Sequence, residues 1–514
     1  MLNIFNRKSS DHPFGDLKGA RELLGGIAEG EAQAAIDDLT HWLQSVAAEA
    51  DFRPDHRSQA LLLIDEAAQP HLRKLSRDYL GSTRLLKQQE MRIWNHVDAY
   101  LQEAARAFAA VLEQMVALRP GDAARATTAL VAVRALRSLT GQLKWMHLRY
   151  GPVSDGLWST VSRVYAASEQ ARVSQMSVVV YPNVPGESSM QQELLRLFMF
   201  AACSPGALAP VDMELADRLI AQFGPKFAAA AEAGPETPYW VDLGAAAAPR
   251  RGPVSGGAKG PVGYFGAGAA HEDLLALAAE IRASGAVPSA VNLGGTYETE
   301  RILAVIDHLE QHWSPKLPER KSIRQAAKLR LTVARGFDGV LDVLQLPPGA
   351  APAGEEIESW IMEDMSAGGF GARVPAMKDE WLHIGCLLGL HYEGGAHWSA
   401  GIVRRLARST AQQTNVGIQL LSRVAMPVEL RIKTEYGLSL DSEVGILLPA
   451  PRREEETRLL LRPGVYAPGQ LYRIETAAGE RLFAPTRLME RGSDYELIAC
   501  RETQVIDFTA SING

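Results

Sequence analysis

Cysteine is nearly missing from this 514-residue chain: Cys203, Cys386 and Cys500 are its three cysteines, and no two of them form a C-x-x-C pair. That excludes a disulfide framework and a cysteine-rich zinc module, and it suits a reducing compartment. Long apolar runs are missing as well. The best, "LLRLFMFAACSPG" from Leu194, ends in Pro205-Gly206 and falls short of the roughly 20 residues that a membrane span needs. No long Lys/Arg block occurs and the net charge is only −7, so neither a nucleic-acid polymer nor a membrane surface is an expected partner. The start, "MLNIFNRKSSDHPFG", has no apolar stretch after its basic residues and does not read as a secretory signal. A cytoplasmic location is the expectation.

Catalytic signatures are equally scarce. There is no G-x-S-x-G elbow and no Gly-Lys step of a phosphate-binding loop. "HLEQH" places His308 and His312 on one helical face, but Leu309 stands where a metalloprotease helix needs glutamate, so no metal site is expected there. Gly266 and Gly268 precede a helical stretch without the third glycine of a dinucleotide fingerprint. The chain is not expected to be an enzyme.

What is present is an ordinary globular composition, 46% hydrophobic and 22% charged, at a length that calls for several domains. Residues 1–175 carry stripes at helical spacing, Ile36, Leu39, Leu43 and Val46 in one, Val97, Leu101, Ala104, Phe108 and Val111 in another, and read as a helical bundle. Residues 176–315 are mixed: a short strand at Val178 to Val180, helices, and a Gly/Ala/Pro-rich stretch from Gly244 to Ala270 that reads as a linker. From about residue 316 the apolar period becomes two, as in Leu329, Leu331, Val333 and in Val416, Ile418, Leu420. Short strands separated by "GFDG", "LPPGAAPAG" and "YEGGAH" suggest a small antiparallel barrel over residues 316–428, followed by a β extension over 429–514. The fold class is multidomain α+β.

Two elements at the barrel suggest a ligand. "PERKSIRQAAKLRL" sets Arg320 and Arg324 four apart just before the first strand, and arginine's planar charged fork suits a phosphate-rich ligand carrying a base. "MEDMSAGGFGARV" supplies Asp364, Ser366 and Gly369 as D-x-S-x-x-G at the end of a strand in which Trp360 and Met362 face opposite to Ile361 and Glu363. A carboxylate there can accept from the N–H edge of a guanine, and glycine permits positive φ and close approach of backbone to a ligand. Each element alone also reads as ordinary surface: a solvated helix face and a tight Asx turn.

In this order the two elements resemble those of the PilZ domain family, known for binding cyclic di-GMP, and "WSAGIVRRLARSTAQQTNVGIQLLS" is similar to its later glycine-containing strand. The resemblance runs from Pro318 to Val428 and implies that Arg320 and Arg324 grip phosphates and stack on guanine. By the same likeness Asp364 and Ser366 engage the base edge, while Gly368 and Gly369 keep the loop open. The 40-residue interval from Arg324 to Asp364 is a departure, and "QLPPGAAPAGEE" reads as the inserted loop. Arg404 and Arg408 read as strand-face charge, with Arg405 an auxiliary phosphate contact. His391 and His397 flank a hairpin and read as surface residues. The expectation is a receptor for cyclic di-GMP that needs no cofactor and acts through domain rearrangement on an unidentified protein, with self-association through the N-terminal helices. A nucleotide-independent adaptor built on the same barrel is the alternative.

Overall fold

The apolar stripes of the first third are buried as their spacing predicts, with Ile36, Leu39, Leu43 and Val46 on one helix all fully inaccessible. The structure is a computed structural model. It describes residues 11–503 apart from 29, 82–85, 119–120, 183, 185, 255–261, 317–322, 348–349, 351, 353, 355, 376–380, 396, 411–412, 435–436, 450–455 and 477–478. The chain forms two units, Met1–Pro318 and Glu319–Gly514.

The first unit contains α1 (Leu17–Ala28), α2 (Ala32–Ala48), α3 (Pro54–Gly81), α4 (Lys87–Ala117), α5 (Asp122–Leu148), α6 (Asp155–Ala171), α7 (Met190–Ala202), α8 (Pro210–Phe223), α9 (Ala270–Ser284) and α10 (Thr299–Trp313). Helix α5 packs against α4, α6, α7 and α8 and is apolar on most sides, as a helix surrounded by others must be. Ser189 starts α7 with a capping box: its hydroxyl accepts from the Gln192 N–H and the Gln192 side chain accepts from its own N–H. A hairpin, β1 (Val178–Val179) with β2 (Glu187–Ser188), precedes α7.

Two expectations for this unit are corrected. Its core is continuous from Phe14 to Trp313, so the change of texture near residue 175 marks no division of the core. The Gly/Ala/Pro-rich stretch is not simply a linker: β5 (Arg250–Arg251) and β6 (Val262–Gly266) join β3 (Ala228–Ala230) and β4 (Tyr239–Asp242) in a sheet of order β3-β6-β4-β5. Small residues serve packing there, since a Cβ on Gly266 would stand 2.2 Å from the Glu236 carbonyl oxygen.

Arg134, on α5, is fully enclosed. Its guanidinium pairs with Asp65, reaches Glu66 at 3.2 Å, donates to the Val180 carbonyl at 2.8 Å and lies 3.5 Å from the Tyr181 ring centroid. Tyr100 and Tyr181 each donate to Asp65 at 3.2 Å.

The second unit consists of two closed antiparallel six-stranded barrels. The first comprises β7 (Gln325–Arg335), β8 (Ile357–Ser366), β9 (Gly369–Val374), β10 (Leu387–Tyr392), β11 (Ser399–Thr410) and β12 (Gln413–Ser422), in the order β10-β11-β12-β9-β8-β7. The residues expected to form a β extension close a barrel of their own: β13 (Met426–Thr434), β14 (Gly437–Leu448), β15 (Thr457–Leu461), β16 (Leu471–Thr476), β17 (Gly479–Arg491) and β18 (Glu496–Thr503). "GFDG" is not a turn between strands but the start of α11 (Gly336–Leu344), whose first turn is anchored by the Asp494 carboxylate accepting from Phe337 N–H at 2.7 Å. That helix contributes nine residues to the interval before Asp364. Its Phe337, Val340 and Leu341 share a core with Ile402 and Leu421 of the first barrel and Ile446, Leu460 and Tyr495 of the second. Burial raises the Cys386 and Cys500 thiols to about 12, so both are core residues at neutral pH.

Removing one partner of a buried ion pair strands the other charge, at a cost of about 3–5 kcal/mol. Arg134→Ala is expected to destabilise the protein on that scale in denaturant unfolding, and Asp65→Asn in the same chain to recover part of the loss. Equal stability of Arg134→Ala and the wild type would contradict the account of this network.

Candidate functional site

Strands β8 and β9 turn at Ala367-Gly368, so the D-x-S-x-x-G residues belong to a tight hairpin rather than an extended loop. Along β8 the expected alternation holds at first: Trp360 and Met362 are fully buried and Ile361 is exposed. The register then slips between Met362 and Asp364, making Glu363 the extra residue of a β-bulge. The slip reverses the phase. Asp364, which strict alternation would send inward with Met362, faces outward and is one-third exposed.

Four strands carry Asp364's row across the barrel. Asp364 is paired with Gly371 on β9, Gly371 with Gly417 on β12, and Gly417 with Arg405 on β11. The row is therefore an acid, two glycines and an arginine, about 14 Å from end to end at the usual spacing of strands. Their neighbours Phe370, Ala372, Val416, Ile418 and Leu406 are buried, which leaves the two glycines as a floor of bare backbone on the outer face. A Cβ on Gly371 would stand 2.7 Å from the Asp364 carboxylate, and one on Gly417 3.1 Å from Arg405 Cβ. This floor lies in a cavity of about 490 Å³.

The cavity brings together the sequence-predicted Arg324, Asp364, Ser366, Gly368, Gly369 and Arg405. Arg320 lies outside the described residues. Arg324 meets Asp364 at 3.3 Å and is largely exposed. Ser366 donates to the Gly369 carbonyl at 3.3 Å, and Arg405 has no ionic or hydrogen-bond partner among the described residues. Neither Gly368 nor Gly369 has a positive φ. Gly369 provides space: a Cβ there would fall 2.0 Å from the Ile418 carbonyl oxygen, while nothing stands within 4 Å of one on Gly368.

Arg404 also lines the cavity, and it is not plain strand-face charge. It donates to Gln419 at 2.7 Å and is held by both carboxylate oxygens of Glu490 on the second barrel. Sequence reasoning missed Arg404, Gly371 and Gly417. The glycines left a trace, since each alternates with buried apolar residues on its strand, but the pairing that aligns them is long-range.

The first unit has a larger cavity, about 810 Å³. Its inner wall is neutralised from within, Lys144 by Glu214 at 2.6 Å and Asp217 at 2.8 Å, and Arg196 by Asp217 at 2.7 Å. His308 is engaged by the Cys203 carbonyl at 2.6 Å, and among the described residues no group of three His, Cys, Asp or Glu side chains is arranged to hold a metal ion. Nor is any described helix long and apolar enough to cross a membrane.

The barrel with this outward-facing hairpin motif is a PilZ domain: residues 353–427 match the family model described as the middle PilZ domain of the cyclic-di-GMP receptor FimW. Residues 18–232 match the model of the N-terminal domain of the same receptor, and the chain thus belongs to the PilZ-domain cyclic-di-GMP receptor family, whose members are binding proteins rather than enzymes. No curated protein matches the chain.

A Cβ at Gly369 would collide with strand backbone, which cannot swing aside as a side chain can. Gly369→Ala is expected to lower the unfolding midpoint of the barrel unit, whereas Gly368→Ala, facing open space, leaves it within about 0.5 kcal/mol. Equal midpoints in thermal unfolding would contradict the assignment of Gly369 as a packing glycine.

Proposed function

We propose that the chain is a cytoplasmic receptor that binds cyclic di-GMP on the glycine floor and transmits the occupancy to a protein partner. The row Asp364-Gly371-Gly417-Arg405 carries this reading, because it offers a flat ring a surface without side chains between a carboxylate and an uncommitted guanidinium. Asp364 accepts from the N–H edge of a guanine, Ser366 adds a short polar contact, and Arg324 takes a phosphate, joined by Arg320 as the family resemblance implies. Arg405 is the cation at the opposite end.

Arg324 and Asp364 are paired to each other, yet an exposed pair of this kind contributes only about 0–1 kcal/mol, so a ligand that engages both side chains separates them at little cost. Arg324 lies just past the boundary between the two units at Pro318/Glu319. A ligand that fixes Arg324 therefore restrains the chain leading into the barrel and shifts the population of unit arrangements, provided it binds one of them better. The output is protein–protein contact, with self-association through the N-terminal helices as one form of it.

Calorimetric titration of the full chain tests the reading. Cyclic di-GMP is expected to bind at micromolar or lower Kd, with GTP and cyclic di-AMP far weaker. Loss of a charge-assisted hydrogen bond removes about 1.5–3 kcal/mol, so Arg324→Ala and Asp364→Ala should each weaken binding roughly tenfold or more. A folded wild-type chain that does not bind would sink the receptor reading and leave the barrel as a nucleotide-independent scaffold.

A further inference from the structure

Arg404 and Glu490 each stand at a β-bulge, one on β11 and one on β17. On β11 the register passes from Val403 to Arg405, leaving Arg404 as the extra residue, and on β17 it passes from Leu488 to Glu490, leaving Met489 extra. A bulge redirects side chains out of the regular alternation. Here one turns Arg404 along the outer face of the first barrel, and the other presents Glu490 to it from the second. Glu490 also accepts from the buried Tyr495 hydroxyl at 2.9 Å, and Tyr495 belongs to the core shared by both barrels and α11. The next row of the first barrel, Gly369-Gln419-Ile402, runs from the cavity directly into that core.

Resting on the receptor reading above, we infer that Arg404 is a further phosphate-contacting residue of the nucleotide site, shared with Glu490 of the second barrel and drawn from it when ligand binds. Arg404 lines the cavity beside Arg405 with a side chain 38% exposed, and Gln419 and Glu490 take three of its five N–H donors, which leaves two for an anion. A phosphate beside Glu490 meets like-charge repulsion unless the arginine turns toward it. Glu490 can give it up, because its side chain is one-quarter exposed and keeps the Tyr495 hydroxyl. Occupancy of the first barrel is thereby read at the β17–β18 turn of the second.

The test uses the full chain, cyclic di-GMP as probe, and the variants Arg404→Ala, Glu490→Gln and the two combined, each first shown to be folded by thermal unfolding. Arg404→Ala is expected to weaken binding about tenfold. Glu490→Gln, which keeps the shape and removes the competing charge, is expected to tighten it several-fold, and the double variant to match Arg404→Ala. Hydrogen exchange follows the coupling: ligand should raise exchange around residues 488–496 in the wild type and leave it unchanged in Arg404→Ala. If the wild type binds and both single variants keep its Kd within twofold, the inference is overturned while the receptor reading stands. If the wild type does not bind at all, both fall.

Discussion

A β-strand sends successive side chains to opposite faces, and on β8 that rule would bury Asp364 with Trp360 and Met362 inside the barrel. A carboxylate enclosed there would be unpaired and costly. The single extra residue at Glu363 shifts the phase, turns Asp364 to the surface and aligns it with Gly371, Gly417 and Arg405. Everything proposed for the site depends on that shift. Without it the motif would have the same residues and no cavity to face.

Bulges recur where the site meets its surroundings. The one at Arg404 and its counterpart at Met489 place an arginine of the cavity against a glutamate of the neighbouring barrel. Beneath this contact, Phe337, Val340 and Leu341 of α11 fill the space between the barrels, and Asp494 holds the start of that helix. The same helix lengthens the interval between the arginine and aspartate motifs. The stretch read as an inserted loop, residues 345–356, follows this helix, and it is α11 itself, read in the sequence as the turn "GFDG", whose side chains join the PilZ barrel to its partner barrel.

The apolar periods made much of the architecture legible. Helical stripes such as Ile36, Leu39, Leu43 and Val46 are buried together, and the alternation at Leu331 and Val333 places both in the first barrel. Arg324 on one side and Asp364 with Ser366 on the other could be picked out because each belongs to a motif of local spacing, R-x-x-x-R and D-x-S-x-x-G. Closure of the second barrel was not, since it depends on β13 meeting β16 and β15 meeting β18 across long stretches of chain. Nor were the strands hidden in the Gly/Ala/Pro-rich stretch, where small residues that look like a linker let backbones approach. The place of Arg404 at the cavity was not legible either, because a bulge is a property of two paired strands and one strand's sequence does not display it.

The central claim is that the bare backbone of Gly371 and Gly417 receives the ring of the ligand. Its most direct measurement is the affinity of Gly417→Val for cyclic di-GMP, set beside the thermal unfolding midpoint of the same variant. Valine suits a strand, but its branched side chain would stand on the floor beside Arg405. The account predicts that binding falls by at least about tenfold while the midpoint stays near that of the wild type. Wild-type affinity in the folded variant would contradict it.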